Sequence, residues 1–284
     1  MPDIVMDLVA SAAYVGLAWH FWRTRWRGGA ADVPPSELGA GERAAILVPL
    51  ALHGWLLYQQ TFATPELRFG FGTALSAMLW LAVLIYWIES LFFSLVGMQP
   101  MVLGTAGVVA LLPLWFPGRV VTYGSSGEFR VHLALAIVAY SVFTIAVLHA
   151  VLMAVADRML HKKPGAAEAP RASLLAGPLA ALPPLLTIER MFFQLVGVAF
   201  VLLTATLATG MVLSDSLFGR AMRFNHETVF AVLSWLTFAV LLWGRLVRGW
   251  RGRTALRWTL AGFVMVVLAN IGTAFVLEVL LRRP

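Results

Sequence analysis

Eight apolar stretches run through this 284-residue sequence, each close to the length of about 20 residues that a helix needs to cross a bilayer. They lie at residues 4–22, 44–63, 71–93, 101–116, 131–155, 191–213, 228–244 and 258–281. Charged residues make up 12% of the chain, whereas soluble domains carry roughly 25%. This excludes a water-soluble fold. We predict an all-α polytopic membrane helix bundle of about eight transmembrane helices, forming one integral membrane domain over residues 1–284.

The arginine and lysine residues predict the orientation of the bundle. The loops that follow the first, fifth and seventh stretches carry about twice as many of them as the opposite side, and basic loops stay in the cytoplasm. We therefore expect both termini outside the cytoplasm, in the inner membrane of a bacterium. The net charge of +7 arises in these loops, so the expected partner is the lipid bilayer and not a nucleic acid.

The first stretch has no basic segment before it and no cleavage site after it, which predicts a retained span. The proline-rich segment from Ala166 to Pro184 predicts an interfacial segment.

The chain contains no cysteine, which excludes disulfides, thiolate metal sites, cysteine nucleophiles and covalent haem attachment through a CxxCH motif. A bound metal or cofactor must therefore use histidine, methionine or carboxylate ligands. No serine or glycine pattern supports a hydrolase or a phosphate-binding loop. We expect a protein that is not an enzyme and has no catalytic residues.

Two of the six histidines, His132 and His226, lie at the starts of the fifth and seventh spans on the predicted outer side. A helix N-terminus favours the neutral imidazole, which is the form that binds iron. Two such residues facing each other would hold a haem iron from both sides. The alternative for each is an interfacial histidine that caps its helix or forms a hydrogen bond.

Three further ionisable residues fall inside spans. His53 lies in the middle of the second span, Glu89 ends the third, and Glu278 lies in the last. We expect the two carboxylates in the outer half of the membrane, paired with an arginine such as Arg130. The alternative function is a transporter or transport-accessory protein, in which His53, Glu89 and Glu278 line a polar path.

The remaining histidines and one charge pair are expected to be structural. His20, His149 and His161 fall near the cytoplasmic face or in a basic loop, where a solvated or snorkelling side chain is expected, His149 being the least typical of them. Glu189 and Arg190 predict a charge pair at the start of the sixth span.

Several short segments resemble a known family. Val131-His132-Leu133 with Ala139-Tyr140 resembles the histidine-bearing helix of the CcsA/ResC/CcmC-type cytochrome c assembly proteins. The C-terminal part is similar to the YpjD/HemX-like branch of that family. That similarity rests on His226-Glu227-Thr228, Trp235, Gly249-Trp250-Arg251-Gly252-Arg253, Gly262-Phe263, and Leu182-Pro183-Pro184-Leu185 with Glu189-Arg190. The resemblance extends over residues 65–281.

The resemblance implies a haem-handling protein of cytochrome c biogenesis or a related assembly step, with noncovalent haem b near the outer face and haem-delivery or assembly proteins as partners. His132 matches a ligand position of the family, whereas the role of His226 is inferred from its place at a helix start. The tryptophan-rich loop of the haem-presenting members is absent from residues 215–225, and Trp243 and Leu281 replace two family histidines. A third possibility is a subunit that recruits assembly partners through the loop Ala166–Pro184.

Overall fold

The computed structural model describes residues 2–26, 38–62, 67–93, 95, 97–121, 123–160, 184–218 and 225–276. Within these ranges the chain is almost entirely helical. Its α-helices are α1 (Pro2–Phe21), α2 (Ala40–Phe62), α3 (Phe71–Glu89), α4 (Gln99–Val109), α5 (Leu112–Trp115), α6 (Gly127–Leu160), α7 (Leu185–Phe218), α8 (His226–Arg248), α9 (Gly252–Val267) and α10 (Thr273–Phe275). Two π-helical segments, Trp22–Trp26 and Leu268–Gly272, follow α1 and α9.

In the described ranges the helices form eight passes through the bundle, and each pass runs in the opposite direction to the one before it. Helices α4 and α5 together make one pass, and so do α9 and α10. Helix α6 occupies the middle of the bundle, where it packs along α3, α7 and α9. On one side of it α1 packs between α2 and α4, and on the other side α8 packs between α7 and α9. Phe143 of α6 stacks on Phe238 of α8 with ring centroids 4.0 Å apart, and both side chains are fully buried.

The all-α membrane fold is confirmed. Among the residues that the structure describes, five helices are long and apolar enough to cross a membrane, namely Ile4–Arg25, Phe71–Glu89, Gly127–Val155, Leu185–Ser216 and His226–Arg248. The other three passes are shorter or more polar than the prediction of eight spans assumed. The fourth is interrupted between α4 and α5 near Pro113, the last contains the π-helical segment, and α2 carries Glu42, Arg43 and two glutamines.

One end of the bundle, here called the cavity end, carries the starts of α3, α6 and α8. A two-residue antiparallel ladder joins β1 (Arg68–Phe69) to β2 (Arg119–Val120), with Arg68 opposite Val120. Asn225 caps α8 by accepting a hydrogen bond from the N–H of Thr228 at 3.0 Å. These contacts fix the helix starts that surround the cavity described below.

The opposite end, here called the arginine-rich end, is held by ion pairs. Arg25 pairs with Glu42 and so ties the segment after α1 to α2. The predicted pair of Glu189 with Arg190 is wrong: Glu189 contacts Arg245 at 2.8 Å and Arg251 at 3.2 Å. Adjacent residues on a helix point in different directions, so the Glu189 side chain does not face Arg190. It joins α7 to the last turn of α8 and to the turn between α8 and α9. That turn begins at Gly249, whose φ of +64° ends α8 in the left-handed conformation.

Candidate functional site

A cavity of about 340 Å³ opens at the cavity end. The start of α3, the first four turns of α6, the start of α8 and the segment after α9 form its walls. Its lining is mostly apolar, with a few polar side chains. The lining residues are Phe69, Gly70, Ala74, Met78, Arg119, Phe129, His132, Leu133, Ala136, Ile137, Tyr140, Glu227, Ile271 and Ala274.

His132 is half-buried in this wall, and its ring is oriented by α7. Its Nδ1 lies 3.1 Å from the Thr209 hydroxyl oxygen. That hydroxyl already donates its hydrogen to helix carbonyls, at 2.9 Å to Ala205 and 3.1 Å to Thr206. We infer that Thr209 accepts from His132, which places the proton of the neutral ring on Nδ1. The ring then presents its lone pair at Nε2, which is the arrangement of a metal-binding histidine with an outer-shell partner.

His226 is exposed at the first position of α8, beside the cavity. The next residue, Glu227, lies in the cavity wall together with His132. The fold therefore brings the starts of α6 and α8 to one cavity, whose lining includes His132 and Glu227 but not His226. Pairing of the two imidazoles through one iron stays a prediction.

His53 and Glu89, the further candidates of the sequence, each have a separate partner. His53 is buried in α2, where its Nε2 lies 2.7 Å from the Ser76 hydroxyl of α3 and its ring meets Tyr14 edge-on. Glu89 contacts His149 on α6. The third residue of the proposed polar path, Glu278, lies outside the described residues.

Glu89 was expected in the outer half of the membrane, on the same side as His132, and with an arginine partner. The structure separates it from His132 and pairs it with a histidine. It ends α3 at the arginine-rich end, on the other side of the bundle from His132, because the third pass runs toward that end. Arg130 donates instead to the Gly124 carbonyl at 2.8 Å. The expectation of a solvated His149 is also wrong, since its side chain is fully buried.

Sequence reasoning missed two kinds of contributor to the cavity. Thr209 lies 77 residues after His132, in a helix whose sequence shows no polar pattern that would single it out. Arg119 and Glu227 supply charged groups to the wall, although Glu227 directly follows a candidate residue. The signal that could have found Thr209 is its position one residue before Gly210, where a small residue lets α7 approach a partner. A Cβ at Gly210 would lie 3.1 Å from Cε1 of His132.

The sequence was compared with known proteins. The profile described as Cytochrome C assembly protein matches residues 44–281. The chain belongs to this family. The resemblance inferred from its histidine-bearing helices and C-terminal segments is thus confirmed, and the match favours cytochrome assembly over the transport alternative.

Individual relatives are similar over parts of their length. Inner membrane protein YpjD of Escherichia coli (strain K12) is 31% identical over 182 residues, which is 64% of this chain and 64% of YpjD. An uncharacterized 28.8 kDa protein of Azospirillum brasilense is 31% identical over 219 residues, covering 74% and 77% of the two chains. Cytochrome c biogenesis protein CcsA of Trichormus variabilis is 30% identical over 86 residues, 30% of this chain and 24% of CcsA. No solved structure matches significantly.

The cavity fits a noncovalently bound haem by the chemistry of its lining. Its volume lies within the range of about 300 to 1,000 Å³ that is usual for ligand sites, and its walls are mostly apolar. His132 supplies an imidazole lone pair that α7 has already oriented. The Arg119 guanidinium in the same wall suits a carboxylate such as a haem propionate.

Proposed function

We propose that this protein handles haem in cytochrome c biogenesis, or in a related haem-dependent assembly step, in the inner membrane of a bacterium. It binds haem b noncovalently in the cavity and acts as an assembly factor, not as an enzyme. The observation that carries the proposal is the 3.1 Å contact between His132 Nδ1 and the Thr209 hydroxyl, made by a histidine that lines a mostly apolar cavity. When Nδ1 donates in this contact, Nε2 is the nitrogen with the lone pair.

Each residue has a distinct part in this proposal. His132 would hold the haem iron through an imidazole nitrogen, and His226, from the adjoining start of α8, would supply another. When bound, haem would supply an iron that accepts nitrogen ligands. Leu133 and Ile137 would shield the bound group from water, and the Arg119 guanidinium in the same wall would add positive charge near its carboxylates. The absence of cysteine agrees with binding that has no covalent tether.

The relatives and the charge distribution support the cellular setting. YpjD is named an inner membrane protein and CcsA a cytochrome c biogenesis protein. The excess of basic residues at the arginine-rich end supports a cytoplasmic position for that end and an outer position for the cavity end. A cavity there would face the compartment in which extracytoplasmic assembly partners meet their haem.

The test is a haem titration of the purified protein in detergent, followed by absorption spectroscopy. The wild type is expected to give a low-spin Soret and α/β spectrum, and His132→Ala to lose it. His226→Ala is expected to retain binding but to become high-spin, because one axial ligand is lost. His20→Ala is the control, since that histidine is half-exposed at the arginine-rich end. A wild type without spectral response, or a His132→Ala protein that binds as the wild type does, would refute the proposal.

A further inference from the structure

Two buried polar atoms face each other at the arginine-rich end, away from the haem cavity. Nε2 of His149 on α6 lies 3.9 Å from Oε2 of Glu89 on α3. The His149 side chain is fully buried and that of Glu89 is 13% exposed. Neither of these two atoms forms a hydrogen bond with any residue that the structure describes. Unpaired polar atoms at such burial are costly, and they call for a missing binding partner.

The hydrogen bond on the other side of the His149 ring identifies what is missing. Nδ1 lies 2.9 Å from the carbonyl oxygen of Ile145, one turn earlier in α6. Because a carbonyl can only accept, Nδ1 carries a proton, and a neutral ring then has a lone pair at Nε2. If Glu89 is ionised, its Oε2 directs a second lone pair at Nε2 of His149. The two atoms attract each other only if a positively charged or hydrogen-bonding particle lies between them.

Most of the neighbouring charges are engaged with one another, but Nε of Arg43 forms no hydrogen bond with any described residue. On the elements packed nearby, Arg25 pairs with Glu42, and Glu189 of α7 pairs with two arginines. Tyr86, one turn before Glu89 on α3, lies within electrostatic range of Glu89 as well as of Arg25, Arg43 and Glu42. Farther along α6, Asp157 is 4.0 Å from Arg253.

We propose that Glu89 and His149 form a proton-binding site in which one proton is held between His149 Nε2 and Glu89 Oε2. The proton resides on either atom and is donated to the other, so the pair draws together from 3.9 Å to an ordinary hydrogen-bond distance of about 2.7–3.2 Å. A metal ion is the weaker candidate, because no third histidine or acidic residue in the described ranges joins the pair into a metal-binding group. The bound proton ties α3 to α6, the two helices that also line the haem cavity.

The test is nitrogen NMR of the full chain in lipid nanodiscs, with ¹⁵N-labelled histidine and sequential assignment of the His149 signals. In the wild type at neutral pH, Nε2 of His149 is expected to resonate as a protonated or strongly hydrogen-bonded nitrogen. In Glu89→Leu it should shift to the position of a bare lone pair. Glu89→Gln preserves the side-chain shape, and its amide can donate only a weaker hydrogen bond, so an intermediate shift is expected.

His53 provides an internal control in the same samples. It is another buried histidine, but its Nε2 contacts Ser76, so its resonances should not respond to either Glu89 variant. If Glu89→Leu does not fold, the His149 Nε2 resonance of the wild type tests the proposal by itself. A bare lone-pair resonance for His149 Nε2 in the wild type would overturn the proposal. So would a stoichiometric metal ion in the purified protein that is lost in Glu89→Gln. Because neither measurement involves haem, the result is independent of the proposed function.

Discussion

Replacing Thr209 by valine tests whether α7 prepares His132 for binding a metal. Valine keeps the branched shape but removes the hydroxyl that accepts the 3.1 Å hydrogen bond from Nδ1. A neutral hydrogen bond of this kind contributes about 0.5–1.5 kcal/mol, which corresponds to a roughly 2- to 13-fold change in affinity. Loss of the outer-shell partner of a metal-binding histidine typically costs about 10- to 100-fold. We therefore expect Thr209→Val to weaken haem binding about tenfold, where the two ranges meet.

The assay is a haem titration of the purified variant, monitored at the Soret band. Thr209→Ser restores the acceptor and should bind within about twofold of the wild type, well under the tenfold effect of losing an outer-shell partner. Thr237→Val is the matched control, because the Thr237 hydroxyl donates to the Leu233 carbonyl of its own helix, α8, at 2.7 Å. If Thr209→Val bound as the wild type does while His132→Ala lost haem, the hydrogen bond would not be what orients the ligand.

Three further predictions concern stability and do not depend on haem. Glu189→Gln removes the negative charge that Arg245 contacts at 2.8 Å and should destabilise the protein by about 1–3 kcal/mol, measured as a lower midpoint of thermal unfolding in detergent. Gly244→Ala should also lower that midpoint, by a comparable free energy of about 1–3 kcal/mol, because a Cβ there would lie 2.4 Å from the Trp250 ring. Burial raises the pKa of Glu42, but hydrogen bonds from the Gly39 N–H and a guanidinium outweigh it and leave that pKa below its ordinary value. The stability that Glu42 contributes is thus present at neutral pH and lost as the pH falls through the lowered pKa. The unfolding midpoints of the wild type and of Glu42→Gln should therefore differ at neutral pH and converge in acid. An equal difference between the two midpoints at both pH values would contradict this.

The helices and their order could be predicted because bilayer thickness leaves few alternatives for long apolar stretches. The starts of α6 and α8 were predicted to within a few residues, and His132 was proposed from its position at a helix start and from the family resemblance. The interruption between α4 and α5 was harder to predict. Pro113 indicates where a helix can break, but it does not determine whether the same pass continues after the break. Hydropathy is an average over a window, and it does not register a local change of helix type.

Pairings between helices could not be predicted in the same way. Glu189 was assigned to its neighbour Arg190, but its actual partners lie more than 50 residues later, beyond another complete pass. Rotation of each helix about its own axis decides such contacts, and an apolar helix surrounded by lipid has little amphipathic pattern to reveal it. The partner of Glu89 was missed for this reason, and Glu89 was also expected at the same end of the bundle as His132, although it lies at the other end.

Helix α6 carries a histidine near each end, and the same rule of hydrogen bonding applies to both. His132 and His149 each have Nδ1 engaged by an acceptor, so each presents a lone pair at Nε2. What differs is the surroundings of that second nitrogen. His132 belongs to the wall of the cavity, whereas Nε2 of His149 lies 3.9 Å from the carboxylate of Glu89. We therefore propose haem as the ligand of the first and a proton as the ligand of the second, because the surroundings of the ring, and not the imidazole itself, decide what each histidine binds.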